Sequence, residues 1–477
     1  MNAPIVRLFG LVTLLFALLV AFTSRWTIFE ASSLRNNPLN RRELLEEQRI
    51  DRGRIIAADG TVLARSVLQA GGVYGRVYPQ AGLFAHAVGY SYITIGRDGL
   101  EASRNDALSG QRTSVNSIID QLTGRKRQGQ DVVTTLDPRA QRVAISALAG
   151  RKGSVVALDP QTGAVRVFVS VPGYNPQGLA NTRRFEQLST DVKRSPLFDR
   201  ATQSGYPPGS AFKTVTDIAA IDSGRFTPSS VVNGNSGVKI SGVPLSNDFN
   251  QNFGPIDLTT ALTHSVNTVW AQVAVSLGKA TMARYMNRLG FDAQPPLDLP
   301  SHDVRASGEY LHGQLLDPRS RFVDVGRMGI GQDKLAVTPL QMAMVAAAVA
   351  NGGRLMTPHL TDHIVDRDGR TVQRITPTLY SQAMKPSTAQ AVAGMMAQVV
   401  KEGTGTAAAL QGIQVAGKTG TAEIVPGQNI NQVWFIAFAP VNNPRVAIAV
   451  TIERSGGQGG TVAAPVAKQV MEALLHG

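Results

Sequence analysis

The sequence of 477 residues contains no cysteine, which excludes disulfide bonds, thiol catalysis and cysteine-ligated metals. Its seven histidines form no motif typical of a metalloenzyme, so we expect neither a metal nor a cofactor. Internal repeats, long low-complexity tracts and dense basic runs are also absent. Although the net charge is +13, we therefore expect no nucleic-acid partner. The charge is either dispersed and solubilising or suited to anionic polymers and lipid head groups.

Residues 8–24 form the long uncharged and largely apolar run of the chain. Its 17 residues would extend roughly 25 Å as a helix, at the short end for a membrane span. No small-x-small cleavage site ends the run, which favours an uncleaved anchor over a signal peptide. We predict a cytoplasmic tip and transmembrane anchor over residues 1–30. The positive-inside rule, applied to the basic residues on each side of the run, would place the large domain in the cytoplasm. Long domains can nevertheless be translocated regardless of that count.

The remaining chain divides into two predicted domains. Gly-punctuated, mixed sequence up to about residue 129 predicts a small α+β pedestal domain, which we place at 31–145 together with the polar segment after the anchor. The second domain, 146–477, begins with an alternating hairpin pattern over 154–170 and ends with two strand patterns and a helix. Strands at both ends with helices between them predict an antiparallel sheet flanked by helices, and hence an α+β fold.

A serine followed three residues later by lysine is the first pattern with chemical meaning. It occurs three times, at Ser210/Lys213, Ser236/Lys239 and Ser276/Lys279. A serine nucleophile needs a neighbouring base, and a lysine three residues on serves only if both lie on one helix face. Ser210 fits, because Pro207-Pro208-Gly209 can release a helix there, predicted to end at Gly224. Ser236 lies in a predicted turn, and Gly278 interrupts the third copy.

Two further patterns follow Ser210 in the chain. Of three Ser-x-Asn pairs, Ser265/Asn267 is favoured, because Ser103/Asn105 and Ser114/Asn116 precede the nucleophile in the other predicted domain. The triplet Lys-Thr-Gly occurs once, at 418–420, just before the two late strand patterns. A lysine and a threonine there can bind a carboxylate, and the glycines allow a substrate to approach the backbone closely.

These motifs in this order resemble the class B penicillin-binding proteins. The resemblance runs from about residue 45 almost to the end and includes several shorter stretches of sequence. They are Arg52-Gly53-Arg54-Ile55, Asp59-Gly60, Gly89-Tyr90, Gly99-Leu100-Glu101, Leu108-Ser109-Gly110, Tyr206-Pro207-Pro208-Gly209, Gly329-Ile330-Gly331-Gln332, Thr338-Pro339-Leu340-Gln341, Gly403-Thr404-Gly405, Trp434-Phe435 and Ala463-Ala464-Pro465.

The resemblance, together with this chemistry, implies a role for each motif residue. Ser210 would be the nucleophile, Lys213 its base, and Ser265 a proton relay to the leaving amine. Asn267 would hydrogen-bond the amide backbone of the acyl donor. Lys418 and Thr419 would bind a terminal carboxylate, and Gly420 and Thr421 would be the other substrate-binding residues. The backbone N–H groups of Ser210 and Thr421 would form an oxyanion hole.

The implied function is a peptidoglycan D,D-transpeptidase of division or elongation that cross-links stem peptides through an acyl-enzyme and is acylated by β-lactams. A D,D-carboxypeptidase, a β-lactamase and a penicillin-binding sensor or scaffold stay open as alternatives. A β-lactamase is disfavoured because no Glu-x-x-Leu-Asn pattern is present. The implied partners are stem peptides on lipid II-derived strands, β-lactams, the membrane and a SEDS-family glycosyltransferase. The implied location is the cell membrane, with a single span and an extracytoplasmic catalytic domain.

Overall fold

The computed structural model describes residues 3–25, 48–110, 128–425 and 427–476. Most of the polar segment after the anchor, predicted to be partly helical, and the pair Ser114/Asn116 therefore lie outside the described residues. The α-helices are α1 (Ala3–Ser24), α2 (Ala85–Val88), α3 (Gly99–Ser103), α4 (Asn105–Leu108), α5 (Pro138–Leu148), α6 (Thr182–Ser189), α7 (Lys213–Asp222), α8 (Leu258–Thr263), α9 (Asn267–Arg288), α10 (Val325–Met328), α11 (Pro339–Ala350), α12 (Pro386–Lys401), α13 (Gly459–Val462) and α14 (Ala464–Leu475).

The strands are short except in one sheet near the carboxyl end of the chain. They are β1 (Ile55–Ile56), β2 (Val62–Leu68), β3 (Tyr74–Val77), β4 (Ser91–Tyr92), β5 (Gly96–Arg97), β6 (Asp131–Thr134), β7 (Gly153–Leu158), β8 (Val165–Val171), β9 (Val231–Asn233), β10 (Val238–Ile240), β11 (Val243–Leu245), β12 (Pro255–Asp257), β13 (Gly308–Leu311), β14 (Gln314–Leu316), β15 (Leu335–Ala336), β16 (Arg354–Met356), β17 (Thr361–Val365), β18 (Thr371–Arg374), β19 (Leu379–Gln382), β20 (Ala416–Val425), β21 (Ile430–Ala439) and β22 (Val446–Ser455).

The central sheet has the order β20-β21-β22-β7-β8, and every neighbouring pair is antiparallel. The predicted hairpin is confirmed as β7 and β8, which are joined by a turn closed by the Gly163 N–H donating to the Asp159 carbonyl at 2.8 Å. Strands from both ends of the domain thus meet in one sheet, as the pattern predicted. The α+β fold with an antiparallel sheet flanked by helices is confirmed.

Helices cover both faces of this sheet, and alternate side chains divide between two cores. Trp434 and Phe438 of β21 belong to the larger core, under α7, α9, α11 and α12. Val433 and Phe435, from the same strand, point the other way into a core under α5 and α14. This division follows from the two-residue period of a strand. Burial on both faces fixes the register of the sheet, and therefore of the Lys-Thr-Gly motif on β20.

A second sheet, the pedestal sheet, has the order β18-β17-β6-β1-β2-β3, with β1 and β6 parallel. Its strands β17 and β18 come from residues 361–374, deep inside the second predicted domain. The predicted boundary between 145 and 146 falls within α5, whose first turn is capped by the Asp137 carboxylate accepting from Ala140 N–H. Helix α5 packs on β8 and α14 and therefore belongs with the central sheet.

The amino-terminal helix α1 coincides with the uncharged run. Its most apolar window has a mean hydropathy of 2.6, and none of its residues is buried against the rest of the protein. At about 1.5 Å per residue, its 22 residues extend roughly 33 Å. By length and composition α1 can therefore cross a membrane.

Candidate active site

The candidate nucleophile lies in a tight turn at the start of α7. Residues Gly209–Phe212 form a 3₁₀ turn and the α-helix proper begins at Lys213, whereas the sequence predicted a helix from Ser210 itself. A 3₁₀ turn at a helix amino terminus is common, and here Gly209 is left-handed at φ 52°. A Cβ on Gly209 would lie 2.5 Å from the Thr421 carbonyl oxygen, so only glycine lets the turn sit against β20.

Lys213 is fully buried, and its Nζ lies within hydrogen-bond distance of three oxygens of the Ser-x-Asn motif. Its Nζ donates to the Ser265 carbonyl at 2.6 Å, to Asn267 Oδ1 at 2.6 Å and to Ser265 Oγ at 3.2 Å. Ser265 is left-handed at φ 59°, and Asn267 is the first residue of α9. The predicted helix start therefore presents both motif residues to the lysine.

Lys418 approaches the same hydroxyl from β20. Its Nζ donates to Ser265 Oγ at 2.9 Å and to the Thr419 carbonyl at 3.1 Å, and it is also fully buried. Thr419 Oγ1 lies 2.7 Å from Thr404 Oγ1. A single hydroxyl, that of Ser265, thus bridges the two lysines of the site.

Glycine is required at the third position of the Lys-Thr-Gly motif. A Cβ on Gly420 would lie 2.6 Å from the Pro208 carbonyl oxygen and 3.0 Å from Ala211 Cβ. The following residue, Thr421, accepts from the Gly459 N–H at 3.1 Å through its hydroxyl. Strand β20 is therefore held directly against the turn that carries Ser210.

Burial favours the neutral form of both lysines. Burial lowers the pKa of Lys213 to about 7, and the negative charge of Asp248 works in the opposite direction. Burial and then the charge of Lys213 hold the pKa of Lys418 well below its usual range, again opposed by Asp248. A lysine that is neutral near pH 7 can accept a proton from a serine.

The described residues of the other copies of the serine patterns lie elsewhere. Ser236 Oγ donates to the Gln251 carbonyl at 2.8 Å, within a surface loop. Gly278 has a non-helical φ of 77° inside α9, between Ser276 and Lys279. Ser103 donates to the Asp298 carbonyl.

Two polar residues of the site were not assigned from the sequence. Thr404 lies in the Gly-Thr-Gly stretch that supported the family resemblance, and this stretch was a usable signal. Asp248, whose Oδ1 accepts from Asn267 Nδ2 at 3.2 Å, belongs to no pattern and is brought to the site by a loop.

A separate group of ligand-type side chains involves none of the predicted site residues. Asp98, His302 and Asp303 place one ligand atom each within 4.8 Å of one another. His302 Nε2 lies 3.3 Å from Asp98 Oδ1 and 3.7 Å from Asp303 Oδ1. Acyl transfer by serine and lysine needs no metal, so this group has no part in the chemistry of the site.

A serine at a helix start, a buried lysine of lowered pKa and a second lysine on a neighbouring strand can carry out serine acyl transfer. Two family models match the chain accordingly. The penicillin binding protein transpeptidase domain matches residues 153–472, and the penicillin binding protein A dimerisation domain matches residues 52–132.

Curated relatives named PbpA match along nearly their whole length. The peptidoglycan D,D-transpeptidase PbpA of Mycolicibacterium smegmatis is 33% identical over 100% of this chain and 99% of its own. The protein of the same name from Mycobacterium tuberculosis is 32% identical over 100% of both chains.

Solved structures share the fold. Penicillin-binding protein A of M. tuberculosis, as a ceftriaxone acyl-enzyme complex, superimposes with a TM-score of 0.81 at 31% identity, over 90% of this chain and 100% of that one. A D,D-transpeptidase domain from Eggerthella lenta gives 0.78 at 34% identity, over 90% and 99%. The chain therefore belongs to the penicillin-binding transpeptidase family, whose members are serine-type enzymes.

Proposed function

We propose that this protein is a peptidoglycan D,D-transpeptidase that forms its acyl-enzyme on Ser210. The observation that carries the assignment of residues is the position of Ser265 Oγ, within 3.2 Å of Lys213 Nζ and 2.9 Å of Lys418 Nζ. This hydroxyl connects the proposed base to the proposed carboxylate-binding lysine. The family membership supports the reaction, and the geometry supports the roles.

In the first step Ser210 Oγ attacks the carbonyl carbon of the penultimate D-alanine of a stem peptide. Neutral Lys213 takes the hydroxyl proton as the bond forms. The bond to the terminal D-alanine nitrogen then breaks, and the proton reaches that nitrogen through Ser265 Oγ. The products are an ester on Ser210 and free D-alanine.

The donor peptide is held by groups on either side of Ser210. Lys418 and Thr419 bind its terminal carboxylate, and Asn267 hydrogen-bonds its amide backbone. Gly420 allows the peptide to lie close to β20. The backbone N–H groups of Ser210 and Thr421 stabilise the oxyanion, and the loss of one such donor typically costs about 10²–10³ in rate.

In the second step a neutral acceptor amine attacks the carbonyl carbon of the ester, and the bond from that carbon to Ser210 Oγ breaks. The amine proton passes through Ser265 Oγ and Lys213 to Ser210 Oγ, the reverse of the first step. A β-lactam enters the first step in the same way, because its ring amide replaces the scissile bond. The ester it leaves on Ser210 persists, since the chain has no Glu-x-x-Leu-Asn pattern to supply a deacylating carboxylate.

Intact-mass analysis with a β-lactam tests the nucleophile. We expect one adduct, which maps to the peptide containing Ser210 and is absent from Ser210→Ala. Ser236→Ala is the matched control, because it alters another serine of the same pattern. Labelling that persists in Ser210→Ala would overturn the assignment.

Product analysis tests transfer against hydrolysis. With a thioester donor, an added amine should divert product from the acid to the amide as its concentration rises. Rapid turnover of β-lactams with no amide at any acceptor concentration would identify a hydrolase instead.

We also propose a single-pass topology, with residues 1–30 as anchor, the pedestal at 31–145 and the catalytic domain at 146–477 outside the cytoplasm. The apolar helix α1 supports the anchor, and the location of peptidoglycan supports the orientation. A SEDS-family glycosyltransferase would contact the pedestal and anchor. Protease added to intact spheroplasts should digest the catalytic domain, and protection of that domain would contradict this topology.

A further inference from the structure

A carboxylate that the motifs do not include lies at the mouth of the catalytic cleft. Asp248 is solvent-exposed, and its Oδ1 accepts a hydrogen bond from Asn267 Nδ2 at 3.2 Å. Among the described residues, no lysine or arginine forms an ion pair with it. Its charge is therefore available to a ligand that enters beside Asn267.

The loop that carries Asp248 is fixed by the residue before it. The buried Asn247 side chain donates to the Gly234 carbonyl at 2.8 Å and accepts from Thr268 N–H at 3.0 Å. Ser236, the serine of the discarded motif, accepts from the Asn247 N–H at 3.0 Å and so shapes this loop. Phe249 follows with φ 53° and is 82% exposed. A left-handed phenylalanine is costly and persists only where its surroundings hold it.

The contact with Asn267 also sets which way the Asn267 amide points. Asn267 Oδ1 accepts from Lys213 at 2.6 Å, and its Nδ2 faces the Asp248 carboxylate. The reverse orientation would place two N–H groups against an amine and an oxygen against a carboxylate. Asp248 is thus both an orienting neighbour of Asn267 and an unneutralised charge.

The acceptor and Asp248 carry opposite charges, because the acceptor amine is an ammonium ion in neutral solution. Burial shifts Lys213 and Lys418 toward their neutral forms, so they oppose its entry less than two full positive charges would. Among the described residues, Asp248 is the one carboxylate whose charge raises the pKa of Lys213 and of Lys418, so its field reaches both.

We propose that Asp248 is the acceptor-recognition residue, which binds the ammonium form of the attacking amine at the mouth of the cleft. This inference rests on the proposed transpeptidase function. It assigns Asp248 no bond-making step: the carboxylate concentrates the acceptor beside the ester, and the ammonium ion releases one proton to solvent at the exposed mouth. The resulting amine then attacks, and its second proton passes through Ser265 Oγ and Lys213 to Ser210 Oγ. Recognition of this kind favours transfer over hydrolysis, because water carries no charge for Asp248 to attract.

The test uses an amine-free thioester donor, so that any effect of charge arises from the acceptor. Two acceptors are compared: glycinamide, which is largely an ammonium at neutral pH, and hydroxylamine, which is largely neutral. Asp248→Asn keeps an oxygen for Asn267 Nδ2 but removes the charge. Asp248→Glu keeps the charge. Glu186→Gln is the matched control, because it removes an exposed charge on α6 that contacts none of the site residues.

We expect Asp248→Asn to raise the glycinamide concentration for half-maximal amide formation about three- to tenfold. Hydroxylamine transfer and β-lactam acylation should change by less than about threefold, which also establishes that the variant is folded. Added salt should weaken glycinamide transfer in the wild type but not in Asp248→Asn. Asp248→Glu and Glu186→Gln should behave as the wild type.

Unchanged glycinamide dependence in Asp248→Asn would overturn the inference while leaving the transpeptidase function intact. Equal losses with glycinamide, hydroxylamine and β-lactam would also overturn it, because Asp248 would then act only by orienting Asn267. Failure of the wild type to form amide with either acceptor would remove the proposed function itself.

Discussion

Lys213 and Lys418 lie on either side of one hydroxyl, and burial is the main influence on the protonation state of both. Two buried ammonium groups so close together would repel each other, and burial disfavours both. The pKa of Lys213 falls to about 7, so its neutral form becomes available near neutral pH. The lysine can then serve as a base without a histidine or a glutamate.

The acylation rate should therefore follow the protonation state of Lys213. We expect the second-order rate constant for β-lactam acylation to rise from pH 6 to pH 8 and then level off, because only the neutral amine accepts the serine proton. Lys213→Arg should lose at least about 10³ in rate, since arginine stays protonated. Stopped-flow or mass measurements across this pH range check both expectations.

The matched control for that variant is Lys279→Arg, which alters another copy of the serine-lysine pattern. Among the residues that the structure describes, its Nζ donates to the Ser320 carbonyl alone, at 2.7 Å, so acylation should be unchanged. A pH-independent rate, or substantial activity in Lys213→Arg, would contradict the role of Lys213 as base.

Residues that act through local spacing could be predicted from the sequence, and residues delivered by tertiary structure could not. Ser210 and Lys213 are one helical turn apart, and Ser265 and Asn267 share one helix start. Their short spacing in the sequence therefore predicts that they are close in space. Asp248 reaches Asn267 across 19 residues through an irregular loop. No periodicity marks such a contact.

At the scale of elements, the site depends on the close approach of β20 to the turn Gly209–Phe212. Strand β20 itself was not predicted, because residues 416–425 contain no long apolar run. The other four strands of the central sheet could be predicted because their apolar runs are long and are bounded by turn residues. The membership of β17 in the pedestal sheet could not, because residues 361–365 pair with 131–134 across more than 200 positions. Such long-range pairing leaves no local pattern.

Gly420→Ala tests the approach of these two elements. The new Cβ would lie 2.6 Å from the Pro208 carbonyl oxygen and 2.9 Å from Trp434 Cβ, so the strand must move away from the turn. A displacement of about 1 Å can cost about 10² in rate, and we expect β-lactam acylation to fall at least that far. Acylation kinetics, with thermal unfolding to measure stability, check this result.

Gly394→Ala is the control for that change, because a Cβ at this helical position in α12 meets no atom within 4 Å. It should leave acylation unchanged and stabilise the protein by about 0.5–1 kcal/mol. Wild-type acylation in Gly420→Ala would mean that the close packing of β20 is not required for catalysis.

At the scale of the whole molecule, the pedestal sheet and the catalytic part are joined by shared structure. The carboxylate of Asp298 accepts from Leu360 N–H at 2.6 Å and Thr361 N–H at 2.9 Å, next to β17. It also accepts from Arg104 Nη2, beside α4 of the pedestal, at 2.7 Å. One side chain thus holds three distant segments together, so we expect both parts to unfold in a single transition.

Asp298→Asn should lower the free energy of unfolding by about 2–4 kcal/mol, because an amide would place a donor against backbone N–H groups and leave Arg104 without its counter-charge. Burial raises the pKa of the Asp298 carboxyl, but Arg104, the Thr361 hydroxyl and the Leu360 N–H together outweigh it and leave that pKa lowered. A carboxyl of lowered pKa stabilises the fold above its unfolded pKa of about 3.9, and this contribution is lost as the pH falls through the folded value. The wild type and the variant should therefore differ at pH 7 and converge in acid.

Urea unfolding followed by hydrogen exchange in both parts measures this, with Asp317→Asn, which removes an exposed ion pair to Arg319, as a control expected to be silent. A pedestal that unfolds separately in the wild type would show that the shared sheet does not couple the two parts.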